Sequence, residues 1–123
     1  MKICFTMKPI SDSFGGGNQF LNTFIRYIKD NDNSINIVYN LNHRDIDIIF
    51  ILDPRLLQLN KITLDMVIKY KRQFPKVKII HRVNECDIKR EKSINIEPLL
   101  VKTMKNSNHV VFVSKWLQDY FIK

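Results

Sequence analysis

The chain has 123 residues and a mass of 14.7 kDa, the size of a single domain built around one hydrophobic core. With 45% hydrophobic residues, 26% charged residues and only three glycines, its composition excludes a disordered chain, a collagen-like repeat and a disulfide scaffold. The net charge of +8 lies entirely in the second half: residues 1–60 carry six basic and six acidic side chains, and residues 61–123 carry fourteen and six. This asymmetry predicts an anionic partner near that half, namely a phosphorylated ligand, a membrane surface or a nucleic acid, unless the basic face serves only solubility.

Short apolar runs predict five β-strands. The first run is typical of a buried strand, and the next two look buried on both faces, as strands of a parallel sheet are. The five runs are residues 2–7, 35–39, 47–52, 77–83 and 109–113.

Apolar residues at helical spacing predict helices after the first, third, fourth and fifth strands. One begins at Asn18 and ends before residues 30–33, and residues 56–74 form one or two helices. The last two cover 96–106 and 115–122, and Ser114 is the expected N-cap of the last one. Strands and helices that alternate in this way predict an α/β fold with a Rossmann-like, doubly wound and mainly parallel sheet of about five strands. Because the chain stops inside the last helix, we expect residues 1–123 to be a single domain that forms one half of a longer protein.

The two cysteines, Cys4 and Cys86, occur without a CxxC or HExxH pattern, so no metal site is predicted. Cys4 lies in an apolar run and is expected to be a buried thiol. The longest continuous apolar stretch, residues 48–52, is far shorter than the roughly 18 to 20 residues of a membrane span, and no signal peptide is visible. We therefore expect a cytoplasmic protein, with attachment to a membrane surface left open.

A run of three glycines separates the first strand from the first helix, in the segment SFGGGN at residues 13–18. This is where an open α/β sheet binds phosphate or sugar groups, because glycine admits a ligand close to the backbone and the helix start offers unpaired N–H groups. The spacing is neither GxGxxG nor that of a P-loop, so it predicts neither a nicotinamide enzyme nor a kinase. A flexible connection is the alternative interpretation.

Three segments taken together resemble the N-terminal domain of GT-B glycosyltransferases of the family 4 type. They are the glycine run, IIHRVNECDIKRE at residues 79–91 and NHVVFVSKWLQDYF at residues 108–121, and the resemblance covers residues 2–123. It implies a retaining enzyme of two domains, in which this half binds a glycan, lipid-linked or small-molecule acceptor and the other half binds a nucleotide-sugar. The resemblance implies no cofactor and no metal, since the nucleotide-sugar is a co-substrate.

The resemblance also implies roles for particular residues. The glycine loop and helix start, Gly15, Gly16, Gly17 and Asn18, would approach the phosphates and sugar of the donor. The family's usual histidine after the fourth strand is replaced by Asn84 here, and Glu85 or Asp87 could take over its role. These three residues are therefore the candidate catalytic residues.

Neighbouring basic and aromatic residues allow two interpretations each. Arg82 either reaches a phosphate or pairs with a nearby acid, and Lys89 and Arg90 either hold an anionic acceptor or lie solvated; these three are the candidate substrate-binding residues. His81 is expected to be a packed or hydrogen-bonded structural residue rather than a catalytic one. Trp116 is expected in the core or at a domain contact rather than as a platform for a sugar.

The family holds its donor with two glutamates separated by seven residues in the second domain. Glu85, Glu91 and Glu97 are never eight apart, so we expect residues 1–123 to lack that half. We therefore expect the 123-residue chain to be inactive on its own and prone to self-association. The alternative function is a non-catalytic sugar- or phosphate-binding module. Nucleic-acid binding is not favoured, because no RNP, KH, zinc-finger or helix-turn-helix pattern occurs.

Overall fold

The computed structural model describes residues 1–9, 16–55, 62–84 and 96–122. Within these ranges the chain forms five strands and four helices. The strands are β1 (Lys2–Phe5), β2 (Asn36–Val38), β3 (Ile48–Ile51), β4 (Lys78–Val83) and β5 (His109–Phe112). The helices are α1 (Gly16–Asn31), α2 (Leu64–Gln73), α3 (Glu97–Lys105) and α4 (Lys115–Phe121).

The five strands form one all-parallel sheet in the order β2-β1-β3-β4-β5. From β1 the chain crosses to β2 on one side, and from β3 it crosses to β4 on the other side. Right-handed crossovers therefore place α1 on one face of the sheet and α2 and α3 on the opposite face. The predicted α/β fold with a Rossmann-like, doubly wound sheet is confirmed.

An aromatic cluster forms the core beneath α1. Phe5 of β1 and Phe50 of β3 pack against Phe20 and Phe24 of α1, with ring centroids 5.5 to 6.0 Å apart. Leu21 is fully buried beside them. Rings in tilted and edge-to-face arrangements add pairwise attraction to the burial of apolar area, so this cluster anchors α1 to the two central strands.

The alternate residues of the central strands face α2. Cys4 and Ile49 pack with Val67 and Tyr70 of α2 in a second core cluster. The Cys4 thiol is fully buried, as predicted, and burial raises its pKa to about 12. The reactive thiolate is therefore disfavoured in the folded protein.

Helix starts follow local capping chemistry. The side-chain oxygen of Thr63 accepts the N–H of Met66 at the start of α2, and the Ser114 hydroxyl accepts the N–H of Leu117 at the start of α4. The cap at Ser114 was predicted, whereas the predicted helix from residue 56 covers positions 56–61, which lie outside the described residues. Within the described ranges no helix combines the length and the apolar character needed to cross a bilayer.

The prediction that the second strand is buried on both faces is wrong. Among the described strands, β2 lies at an edge of the sheet and pairs with β1 alone. Asn36 is exposed, and Ile37 and Val38 are only half-buried. The sequence pattern shows that these residues are apolar, but their burial depends on the position of the strand in the sheet.

The hydroxyl of Tyr70 joins α2 to the segment before β3. It donates to the carbonyl of His43 at 2.7 Å and accepts the N–H of Ile46 at 3.2 Å, with the side chain almost completely buried. The C=O of His43 and the N–H of Ile46 therefore share the Tyr70 hydroxyl as a hydrogen-bond partner.

We expect Tyr70→Phe to lower the free energy of unfolding by about 1 to 3 kcal/mol, because it leaves a buried N–H and a C=O without that partner. Urea denaturation of the two proteins measures the difference. Tyr27→Phe is the matched control on the exposed side of α1, where we expect a change within about 0.5 kcal/mol. Equal effects of the two substitutions would contradict the role of the Tyr70 hydroxyl.

Candidate functional site

The chain leaves the neighbouring strands β1 and β3 toward opposite faces of the sheet. At such a reversal the two following loops diverge and leave a crevice at the carboxyl edge, where open α/β sheets bind ligands. Residues 6–9 follow β1, and residues 52–55 follow β3. The Thr6 hydroxyl accepts the N–H of Leu52 at 3.2 Å, so a buried hydrogen bond joins the two loops where they leave the sheet.

Helix α1 begins at this edge. Its first residues are Gly16 and Gly17, followed by Asn18, so two of the three predicted glycines form the helix N-terminus. The N–H groups of a first helical turn lack partners within the helix and carry a partial positive charge. Gly15 and the side chain of Asn18 lie outside the described parts of the chain.

Arg82, the fifth residue of β4, provides a cationic group on the α1 face. Its guanidinium carbon lies 4.3 Å from the centre of the Phe20 ring, just over one turn after the first residue of α1. The Nη1 atom is buried and has no hydrogen-bond partner within the described chain, and burial lowers the pKa of Arg82. A guanidinium remains charged under such conditions, so this unpartnered donor can bind an anion.

His81 precedes Arg82 in β4 and lies on the opposite face of the sheet. Its side chain is fully buried, and neither ring nitrogen has a hydrogen-bond partner among the described residues. Burial lowers the pKa of His81 from 6.5 to about 4, and the opposing effect of the nearby Asp53 carboxylate is smaller. The ring is therefore neutral at pH 7 and packed, which agrees with the structural role predicted for it.

Asp53 and Arg55 form an ion pair after β3 that the sequence analysis did not identify. The Arg55 Nε and Nη2 atoms donate to the two carboxylate oxygens of Asp53 at 3.0 and 2.7 Å, and the Arg55 N–H donates to Oδ1 at 2.9 Å. Both side chains are partly buried. Asp53 directly follows the third predicted strand, and an acid two residues before an arginine at a carboxyl edge is the signal that could have revealed the pair.

The structure brings part of the predicted site together. Gly16, Gly17, Arg82 and Asn84 lie at the carboxyl edge, with Asn84 exposed directly after β4. The candidate residues that follow Asn84 lie outside the described residues: Glu85, Asp87, Lys89 and Arg90. Pairing of Arg82 with one of these acids therefore stays a prediction.

Trp116 is not a core residue. Half of its side chain is exposed, and its ring stacks almost parallel on that of Tyr120, with centroids 5.5 Å apart. Leu117 is the residue of α4 that is fully buried, because it lies on the side of the helix that packs on the sheet. Of the two positions expected for Trp116, the core is excluded, and contact with a second domain stays a prediction.

Other features of the surface do not coincide with this edge. A cleft of about 380 Å³ lies at the opposite, amino edge, where Arg44, Asp47, Phe74 and Lys76 line it. Among the described residues, no group of three or more His, Cys, Asp or Glu side chains could hold a metal ion.

Comparison with protein-family models, with curated protein sequences and with solved structures finds no match to this chain. Function is therefore inferred from the doubly wound α/β fold and from its carboxyl edge, where Arg82 has a buried donor that can bind an anion and lies near the glycine-led N-terminus of α1.

We expect the free energy of unfolding to fall as the pH drops from about 6.5 to about 4, because unfolded His81 binds a proton in this range and folded His81 does not. The free energy of unfolding is unaffected by His81 above the unfolded pKa of about 6.5. It is lower by about 3 kcal/mol at pH 4, where unfolded His81 is protonated. Urea denaturation at several pH values measures this slope. His81→Leu should remove it, and the same slope in that variant would contradict the assignment to His81.

Proposed function

We propose that this chain is the N-terminal, acceptor-side domain of a GT-B glycosyltransferase, which forms part of the cleft for retaining sugar transfer from a nucleotide-sugar. The observation that carries the proposal is the buried Nη1 donor of Arg82, which lies near the start of α1 and has no hydrogen-bond partner among the described residues. The resemblance of residues 79–91 and 108–121 to family 4 enzymes supports the particular reaction. The doubly wound fold is compatible with it but is shared by many other activities.

In such a transfer the bond between the sugar and the nucleotide diphosphate breaks, and the sugar forms a bond to an acceptor oxygen, whose proton leaves. The diphosphate gains negative charge as it departs, so fixed cationic and N–H groups lower the barrier. Arg82 and the first turn of α1 supply such groups at one edge of the sheet. In this proposal Asn84 contacts the transferred sugar, with Glu85 or Asp87 as the alternative.

Phe20 holds the guanidinium of Arg82 in place. The cation–π contact and the partial burial of the side chain restrict the rotamers that Arg82 can adopt. A donor fixed before the ligand arrives loses less entropy on binding, so its hydrogen bonds contribute more to affinity. We therefore assign Phe20 as a positioning residue for Arg82.

We expect Arg82→Gln to weaken the binding of UDP or GDP to this chain about tenfold or more, because a hydrogen bond from a charged donor to phosphate is lost. Calorimetric titration with each nucleotide measures the change. Arg72→Gln is the matched control, since it removes the same charge from an exposed position on α2. Equal effects of the two variants, or none, would exclude Arg82 as the phosphate ligand.

We further expect the 123-residue chain to transfer no sugar when it is incubated with nucleotide-sugars and candidate acceptors, because the resemblance assigns most donor contacts to a second domain. Release of free UDP or GDP is the measurement, with a complete glycosyltransferase as positive control. Transfer at ordinary enzymatic rates would contradict the two-domain proposal. Arg82-dependent binding without transfer, even after fusion to a donor-binding domain, would instead identify a sugar- or phosphate-binding module.

A further inference from the structure

The exposed sides of α2 and α3 form a basic surface on one face of the sheet. We call it the α2–α3 surface. It consists of four cations and two exposed apolar residues: Met66, Lys69, Arg72, Val101, Lys102 and Lys105. The acidic residues of the same two helices are Asp65 and Glu97. The surface therefore carries a net positive charge.

The two helices lie side by side. The Lys102 Nζ atom is 3.9 Å from the Asp65 Oδ1 atom, and Leu64 and Leu99 line the same cleft between the helices. Within α2, Met66, Lys69 and Arg72 are spaced by three residues and share one stripe; Lys102 and Lys105 do the same in α3. Two such stripes on adjacent helices present a broad surface rather than a groove.

The exposed charges of α1, on the opposite face of the sheet, balance one another: Arg26 and Lys29 are offset by Asp30 and by Asp32 just after the helix. Among the exposed side chains of α1, α2 and α3, the positive excess therefore lies on the α2–α3 side, where it produces a directional electrostatic field.

Helix-end electrostatics explain only part of the pattern. Arg72, Lys102 and Lys105 lie in the last turns of their helices, where cations favour the helix dipole. Lys69 lies earlier in α2, and the dipole gives no reason for Met66 and Val101 to be 43% and 37% exposed. Cations interspersed with exposed apolar side chains are typical of helices that lie on an anionic bilayer, where the apolar groups enter the headgroup region.

We propose that the α2–α3 surface binds the surface of a membrane that contains anionic phospholipids. Single-stranded nucleic acid is the less suitable polyanion, because it requires aromatic side chains on which bases stack and the six residues of this surface include none. The candidate site at the carboxyl edge is not part of this surface. The inference is independent of the proposed glycosyl transfer.

The test is co-sedimentation of the 123-residue chain with phosphatidylcholine vesicles that contain about one third phosphatidylserine, at about 0.15 M salt. We expect binding to these vesicles and none to pure phosphatidylcholine. Lys69→Gln combined with Arg72→Gln should weaken partitioning about 25-fold, because each cation near such a surface contributes about 1 kcal/mol, or fivefold. Met66→Ser combined with Val101→Ser should weaken it as well, through the loss of apolar insertion.

The matched control is Arg26→Gln combined with Lys29→Gln, which removes the same charge from the opposite face and should change partitioning less than about twofold. Urea denaturation checks that each variant is folded. Equal losses in the Lys69→Gln, Arg72→Gln variant and in the Arg26→Gln, Lys29→Gln control, or no binding to the anionic vesicles, would overturn the proposal. Tighter binding to a single-stranded oligonucleotide that depends on Lys69 and Arg72 would overturn it in favour of a nucleic acid. No nucleotide-sugar is used, so a negative result leaves the proposed function unaffected.

Discussion

The structure depends on one constraint: a parallel sheet with central strands buried on both faces requires a layer of helix on each side. In this chain, Phe20 and Phe24 of α1 cover one face of β1 and β3, and Val67 and Tyr70 of α2 cover the other. To reach both faces, the chain must leave two neighbouring strands in opposite directions. The crevice at the carboxyl edge is therefore a geometric result of covering the sheet.

The same constraint places two adjacent residues, His81 and Arg82, in different environments. Because side chains alternate along a strand, His81 enters the layer of α2 and α3, whereas Arg82 enters the layer of α1. The neutral, enclosed imidazole contributes packing and a pH-dependent stability. The guanidinium lies on an aromatic ring near a helix start, and its Nη1 donor has no hydrogen-bond partner in the part of the chain that the structure describes. One strand thus provides a structural residue and a candidate ligand-binding residue in succession.

The two faces also differ at the β5 edge. Phe112 shares a face with Val83 of β4 and stacks on Phe121 of α4, whereas Val111 lies beside Arg82 on the α1 face. Val111 is 48% exposed and Val113 is 44% exposed, so the described helices leave this part of the α1 face open. The sheet surface beside the Arg82 strand is therefore accessible, which suits a site that must admit a substrate from solution.

The sequence by itself determined the fold class and most element boundaries, because apolar runs such as residues 47–52, helical spacing in α1 and the Ser114 cap are local properties of the chain. It also singled out Arg82 and Asn84 as candidates, since both lie at the end of a recognisable strand. Only the tertiary structure decided that β2 lies at an edge, that Trp116 lies outside the core and that Arg82 rests on Phe20. Strand order and the contacts of residues distant in sequence arise from the packing of the whole chain, which no local pattern encodes.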